Sequence, residues 1–385
     1  MSSQNVILPP AMLGMLGGGQ LGRFFVIAAH EMGYRVTVLD PDKSSPAGKI
    51  ADVHLCAAYD DAEALKKMAE TCQAITTEFE NVPAATLDTL AKSRTVRPSA
   101  KAVAIAQHRV MEKQFIRDAG IPVAPFVVVN GVNDLPADND AIYPAILKVA
   151  RFGYDGKGQA RVSNQAQAAE AFQTFKGEQC VLEKMLNLDY EVSVVLARDA
   201  SGNVAAYPTA ENSHLNGILD VSIVPARAPK AIHDQAKNLA MKIAEKLEYI
   251  GVLAVEFFVS DGQLLANEMA PRPHNSGHYT IDANVTNQFE QQLRALVGLP
   301  LGDQRLHSQA VMVNILGDVW KNGAEPAWDK IFARPELKLH LYGKHEPRAG
   351  RKMGHFTVIG EDQVEVIASA IKARGELRSE EHTSE

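Results

Sequence analysis

Cysteine is scarce. Cys56, Cys72 and Cys180 are the three in 385 residues, too few and too scattered for a disulfide framework, and without a CxxC spacing they form no zinc motif. No apolar run approaches the ~20 residues that cross a bilayer, which excludes a membrane helix. The first ten residues lack a basic segment followed by an apolar core and a small-residue cleavage site, so no signal peptide is expected. Positive charge is in deficit, 39 Lys and Arg against 46 Asp and Glu for a net charge of −7. Nucleic acid is therefore a poor partner, since a phosphate backbone asks for a basic face. Internal repeats are missing as well. The remainder, 46% apolar and 22% charged, is ordinary globular composition. The length predicts two or three domains in a soluble, cytoplasmic protein.

The first hundred residues alternate strand and helix. An apolar strand at 11–16 runs into Gly17-Gly-Gly-Gln-Leu-Gly22, a helix follows over 23–32, and a β-branched strand over 35–39 ends at Asp40. Helices over 62–71 and 84–92 flank a strand at 74–78, and this alternation predicts a parallel, doubly wound sheet. Past the Pro/Gly connector at 120–125 the pattern changes. Short strands such as 181–183 surround a glycine-rich loop, and a helix with one apolar face covers 234–249. Strands at 253–259 and 264–269 form a hairpin, a helix occupies 288–297, and a smaller C-terminal unit opens at 311.

Four motifs carry chemistry. Gly17-x-Gly19-x-x-Gly22 with Asp40 closing the next strand is a full dinucleotide fingerprint, and on its own it makes a nicotinamide-dependent oxidoreductase a serious reading. The alternative is a turn that merely needs glycine. Lys148 and the loop through Gly153, Gly156, Lys157, Gly158 and Gln159 could wrap nucleotide phosphates, although Lys157 is followed by glycine and so forms no Walker loop. A solvated turn is the bland alternative. Glu256 and Glu268 interrupt the apolar hairpin, where an unpaired carboxylate is costly. A three-residue loop would set them directly opposite one another, suited to clamp Mg²⁺ or Mn²⁺, whereas a two-residue loop would oppose Glu256 to Asn267. Pairing with Lys or Arg is the competing use. Finally, residues 270–278 crowd polar groups onto a loop after that hairpin, and 342–355 place four Lys and Arg in a glycine-rich stretch.

In this order the motifs closely resemble the N5-carboxyaminoimidazole ribonucleotide synthase family of ATP-grasp carboxylases. The matching stretches are 17–23, 77–82, 152–159, 267–278 and 350–355, within a resemblance spanning 11–375. It implies an α/β and α+β chain of three domains: Rossmann-like over 1–110, ATP-grasp over 111–300 with lobes at about 120–186 and 187–300, and C-terminal over 301–377. It overrules the dinucleotide reading, because in this family the first glycine turn and Gln20 face the ribonucleotide. The implied reaction carboxylates 5-aminoimidazole ribonucleotide with bicarbonate while ATP becomes ADP and phosphate, in purine synthesis. It also implies ATP contacts from Arg109, Lys148, the loop Gly153, Tyr154, Asp155, Gly156, Lys157, Gly158 and Gln159, and from Glu183, Lys184, Met185, Leu186, Glu191, His214, Asn267 and Glu268. Mg²⁺ (or Mn²⁺) falls to Glu256 and Glu268. Ribonucleotide and bicarbonate fall to Gln20, Glu80, Tyr154, Arg272, His274, Lys344, Arg351 and Lys352. Tyr154, Asp155, Arg272 and Asn275 are the expected catalytic set. A homodimer is a further implication of the family.

The last eight residues, 378–385, are polar with no apolar side chain to dock them, and they match the translation of a common sequencing adapter. An artefactual tail is therefore expected there, with the last domain cut short.

Overall fold

The structure, a computed structural model, describes residues 6–151, 158–320 and 324–378. Among the described residues the strands form three sheets.

The first is parallel, in the order Val53–Leu55, Arg35–Leu39, Met12–Leu16, Ala74–Thr77, Thr95–Val96. Its central strands are apolar on both faces because helices cover both: Leu13, Met15, Val36 and Val38 are fully buried on one face, and Leu16, Leu39 and Ile75 on the other. Gln20–Glu31 lies on one face and Ala62–Thr71 and Ala84–Ala91 on the other. The first helix starts three residues before the expected 23, since its N-terminus is capped by a distant carboxylate rather than by a local residue.

Phe126–Val129, Cys180–Lys184, Ala145–Val149 and Gln159–Val162 make a small antiparallel sheet, backed by the helix Gln165–Thr174. The third sheet is the largest. It runs Gln263–Ala270, Gly251–Ser260, Tyr190–Arg198, Ala210–Leu215, Ile218–Val224, Gln309–Leu316, Lys352–Gly360, Leu337–Leu341. The C-terminal strands thus extend the central sheet instead of building their own: Val221 pairs with Val313.

Helix Lys230–Lys246 buries Ala236, Ala240 and Ile243 against this sheet, starting at Lys230 behind Pro229 rather than at 234. Helix Gln288–Val297, although it follows the central sheet in sequence, inserts Leu293, Leu296 and Val297 into the core of the first sheet. The final helix, Gln363–Arg378, reaches one residue into the expected tail. There Arg378 Nη2 donates to Asp220 Oδ1 at 2.7 Å, while 379–385 lie outside the described residues.

Candidate functional site

The glycine turn is already filled by protein. Gly18 N–H donates to Asp40 Oδ2 at 2.7 Å, Gly22 N–H to Glu78 Oε2 at 2.7 Å, and Gly19 N–H to the other Glu78 oxygen. A Cβ on Gly17 or Gly19 would stand 2.4 and 2.6 Å from Glu78, so these glycines make room for that carboxylate. Glu78 is buried, and burial raises its proton affinity against the pull of the two N–H groups. The donors a dinucleotide pyrophosphate would need are spent, and a negative charge already sits at the helix N-terminus. Gln20, the first residue of that helix, stands beside this turn.

Two residues beyond Glu78, Glu80 meets Arg272. The guanidinium forks onto the carboxylate, Nη2 to Oε1 at 3.1 Å and Nε to Oε2 at 2.5 Å. Burial would raise the Glu80 carboxyl, but Arg272 outweighs it and holds it below the usual range. Gln107 Nε2 pins the loop by donating to the carbonyls of Glu80 and Val82 at 2.5 and 2.6 Å.

The basic stretch closes over the same region. Lys49 touches His345, Lys344 Nζ donates to Lys352 O at 2.8 Å and sits 5.5 Å from the Tyr342 ring centre, and Arg351 donates to Glu346 O at 2.9 Å. Lys344 acts electrostatically on Glu78, and Lys352 on Glu80, Glu256 and His214. Lys352 therefore lies close enough to act on both Glu80 and the hairpin carboxylate Glu256.

That hairpin resolves the two-loop alternative in an unexpected way. The loop is the two-residue one, Asp261-Gly262, with φ of 49° and 69°, as a primed turn requires. Ser260 pairs with Gln263 and Phe257 with Ala266, a register that would oppose Asn267 to Glu256. A β-bulge then absorbs Asn267, and Glu256 pairs with Glu268 after all. Burial, and then the facing Glu268, raises the proton affinity of Glu256. His274 Nε2 lies 3.5 Å from Glu256 Oε1, and burial, Arg272 and Lys352 keep that imidazole neutral. Two facing carboxylates form an oxygen donor set that suits a hard divalent cation.

One helix, Arg109–Asp118, clamps the bulge. Arg109 Nη1 donates to Glu268 Oε2 at 3.4 Å, Glu112 Oε1 accepts from Met269 N at 2.7 Å, and Lys113 Nζ donates to Asn267 O at 3.3 Å. Burial, reinforced by Glu268, pushes the Glu112 carboxyl up to about 8. Lys113 also reaches Glu183 Oε2 at 2.5 Å, and Lys148 holds Glu183 Oε1 at 2.9 Å. Burial works against the Glu183 charge, yet the two lysines carry its pKa down to about 2. Lys148 is drawn the other way: burial, aided by Lys113, lowers its proton affinity despite Glu183. Two buried ammonium groups thus share one carboxylate and leave an excess positive charge.

Sequence reasoning missed Glu112 and Lys113. Their signal was the i, i+3, i+4 spacing of Arg109, Glu112 and Lys113, which places all three on one helix face.

Of the other expected residues, Glu191 and His214 meet at 3.2 Å on neighbouring strands, and Glu191 outweighs burial to raise the His214 pKa. Lys184, Met185 and Leu186 form the edge leading from the small sheet toward the large one, with Met185 partly exposed. Gly158 (φ 69°) and Gln159 open the strand beside Lys148. Gly153, Tyr154, Asp155, Gly156 and Lys157 lie outside the described residues. Asn275 is placed differently from the expected catalytic set. It is buried and exchanges amide hydrogen bonds with Asn314, at 3.0 and 2.7 Å, which braces the loop after the hairpin. Ser193, Asn212, Ser222 and Ser276 continue this bracing as a buried hydroxyl–amide chain.

Three family models match the chain: a ribonucleotide synthetase preATP-grasp domain over 11–107, an ATP-grasp domain over 114–289, and a phosphoribosylaminoimidazole carboxylase C-terminal domain over 310–369. N5-carboxyaminoimidazole ribonucleotide synthase of Bacillus subtilis (strain 168) is 45% identical over 367 residues, covering 95% of this chain and 96% of the relative. A solved ADP complex of an N5-carboxyaminoimidazole ribonucleotide synthetase superposes with a TM-score of 0.89 at 41% identity, covering 96% of this chain and 98% of that one. The synthase of Aspergillus clavatus, solved with ADP and 5-aminoimidazole ribonucleotide, superposes with a TM-score of 0.85 at 31% identity, covering 95% and 98%.

Proposed function

The chain belongs to the N5-carboxyaminoimidazole ribonucleotide synthase family, and from that membership we infer how its residues divide the work. It is an ATP-grasp ligase that carboxylates 5-aminoimidazole ribonucleotide at the expense of ATP, a step of purine biosynthesis.

We propose that the ATP phosphates lie beside Lys148, Arg109 and the bulge at Asn267 and Glu268, with the adenine end along 183–186 and the ribose near Glu191 and His214. The buried Lys113–Glu183–Lys148 group supports this, because its excess positive charge is matched by a phosphate. Glu256 and Glu268 would hold Mg²⁺, which when bound neutralises phosphate charge. Gln20, Glu80, Arg272, His274, Lys344, Arg351 and Lys352 would hold the ribonucleotide and bicarbonate, the last three near its 5′-phosphate. Bicarbonate would take the γ-phosphoryl group, and its carboxyl group would pass, directly or as CO₂, to the exocyclic amine, releasing phosphate.

The observation that carries this reading is the fork of Arg272 onto Glu80. Glu268 and Arg272 stand four residues apart on one rigid segment, and the fork ties that segment to the N-terminal turn. One backbone thereby positions the phosphate end and the ribonucleotide end of the reaction, where an ångström of misplacement is costly. Arg272 would orient the carboxyl group in transit and offset its charge.

The test is ADP release that needs both aminoimidazole ribonucleotide and bicarbonate. Release driven by formate in place of bicarbonate, or by ATP alone at the same rate, would overturn it.

A further inference from the structure

Away from these carboxylates, a buried imidazole cluster lies beneath the basic loop. Asp282 follows the 275–277 turn, and His340 and His355 face one another across neighbouring antiparallel strands. One ligand atom from each of the three lies within 4.8 Å of the other two. His340 Nε2 is 2.9 Å from Asp282 Oδ2, and the His340 and His355 rings stack with centres 4.7 Å apart. His278 joins them at 4.9 Å from His355, and Phe24 seals the cluster, 6.0 Å from each of the cross-strand pair.

Two ring nitrogens in this cluster have no hydrogen-bond partner among the described residues: His355 Nε2 and His278 Nε2. Both histidines are fully buried, where an unmet polar atom costs about 1–3 kcal/mol. The partners on the other ring nitrogens define what these atoms offer. Gln288 accepts from His274 N–H, so its Nε2 is the donor to His278 Nδ1 at 3.1 Å, and His278 carries its proton on Nε2. His355 Nδ1 lies 2.9 Å from the Tyr342 hydroxyl. With Nδ1–H donating there, His355 Nε2 is left with a free lone pair inside the cluster. A ligand histidine whose second nitrogen is held by a fixed partner is the usual second shell of a metal centre.

We propose that Asp282, His340 and His355 form a second cation site, separate from Glu256 and Glu268, that takes a nitrogen-preferring divalent ion, best matched by Zn²⁺. Two imidazoles and one carboxylate fit a borderline transition ion and do not suit Mg²⁺, which demands oxygen. Zinc bonds of about 2.0–2.2 Å set ligand atoms roughly 3.3 Å apart, so atoms that now lie from 2.9 Å to at most 4.8 Å from one another readjust on binding, the His340–Asp282 pair opening slightly. His340 and Asp282 retain 22% and 10% exposure and supply the entry path. The bound ion would staple the 280–283 helix to the two strands from which the 343–352 loop springs, and so hold Lys344 and Lys352 over the substrate site.

The test uses full-length, tag-free protein dialysed against chelator, titrated with Co²⁺ and then displaced by Zn²⁺. The expected result is one equivalent per chain with visible ligand-field bands. Affinity should fall at least tenfold in His340→Gln and in the isosteric Asp282→Asn, each checked for fold by far-UV dichroism. Glu268→Gln should retain the bands. The proposal is overturned by absence of saturable binding, by a thiolate charge-transfer band pointing to the cysteines, or by unchanged affinity in whichever of the two variants folds.

Discussion

Replacing Glu183 by glutamine should destabilise the protein more than replacing Lys113 by methionine, although both break the same ion pair. In the wild type, Lys113 and Lys148 sit 2.5 and 2.9 Å from the two Glu183 oxygens, all three side chains at most 9% exposed. Glu183→Gln leaves two buried ammonium groups facing each other without an anion, a loss of about 3–5 kcal/mol. Lys113→Met leaves a neutral Lys148–Glu183 pair, forfeits the bond to Asn267 O, and fills the space with an apolar chain, costing about 1–2 kcal/mol. The pH dependence has a definite sign. Glu183 titrates near 2 in the folded protein against an ordinary 4.5, so its stabilisation is complete above pH 4.5 and disappears as pH falls toward 2. That difference corresponds to about 3 kcal/mol, in line with the substitution. Urea midpoints should be followed by far-UV dichroism, since Trp320 and Trp328 both stand in the C-terminal segment and would miss an event at the small sheet. Equal losses for the two variants, or a gap between wild type and Glu183→Gln that stays undiminished as pH falls to about 2, would refute the reasoning.

Glu256→Gln should raise the Tm of metal-free protein, by removing one of two facing carboxylates worth about 1 kcal/mol of repulsion, while cutting ADP release at least ~100-fold; loss of both properties together would refute it. Glu78→Ala should cost about 1–3 kcal/mol for each stranded N–H of Gly19 and Gly22, and added sulfate should then raise the Tm of the variant more than that of the wild type; an unaltered Tm would argue against the capping role. Arg272→Lys loses the fork onto Glu80 and should lower kcat by about 100-fold with the KM for ATP within twofold, measured by coupled ADP release; unchanged kcat would remove Arg272 from the positioning role.

Much of this was written locally in the chain. Period-two and period-3.6 apolar spacing marks the strands and helices, and glycine at 17, 19 and 22 announces a turn with no room for a side chain. Asp261-Gly262 announces a primed hairpin loop. The expected span 288–297 coincides with the helix Gln288–Val297, because Asn287 caps one end and Gly298 the other. Residue types suited to phosphate and cation chemistry were legible too, since a glutamate inside Val252–Val259 or a lysine closing Ala145–Val149 has few bland uses.

Tertiary structure decided which of these groups meet. Spacing from the turn alone sets Glu256 against Asn267, and only the bulge at Asn267, held by Glu112 and Lys113 more than 150 residues away in sequence, restores Glu268 to the facing position. The same glycine turn is written as a pyrophosphate cradle, and only the arrival of Glu78 from another strand fills it with carboxylate. A turn or a helix cap is settled by φ, ψ and the next few residues, whereas the partner of a buried charge is whichever opposite group the packed sheets bring within about 3 Å. That pairing belongs to the assembled core, and no window of the sequence contains it.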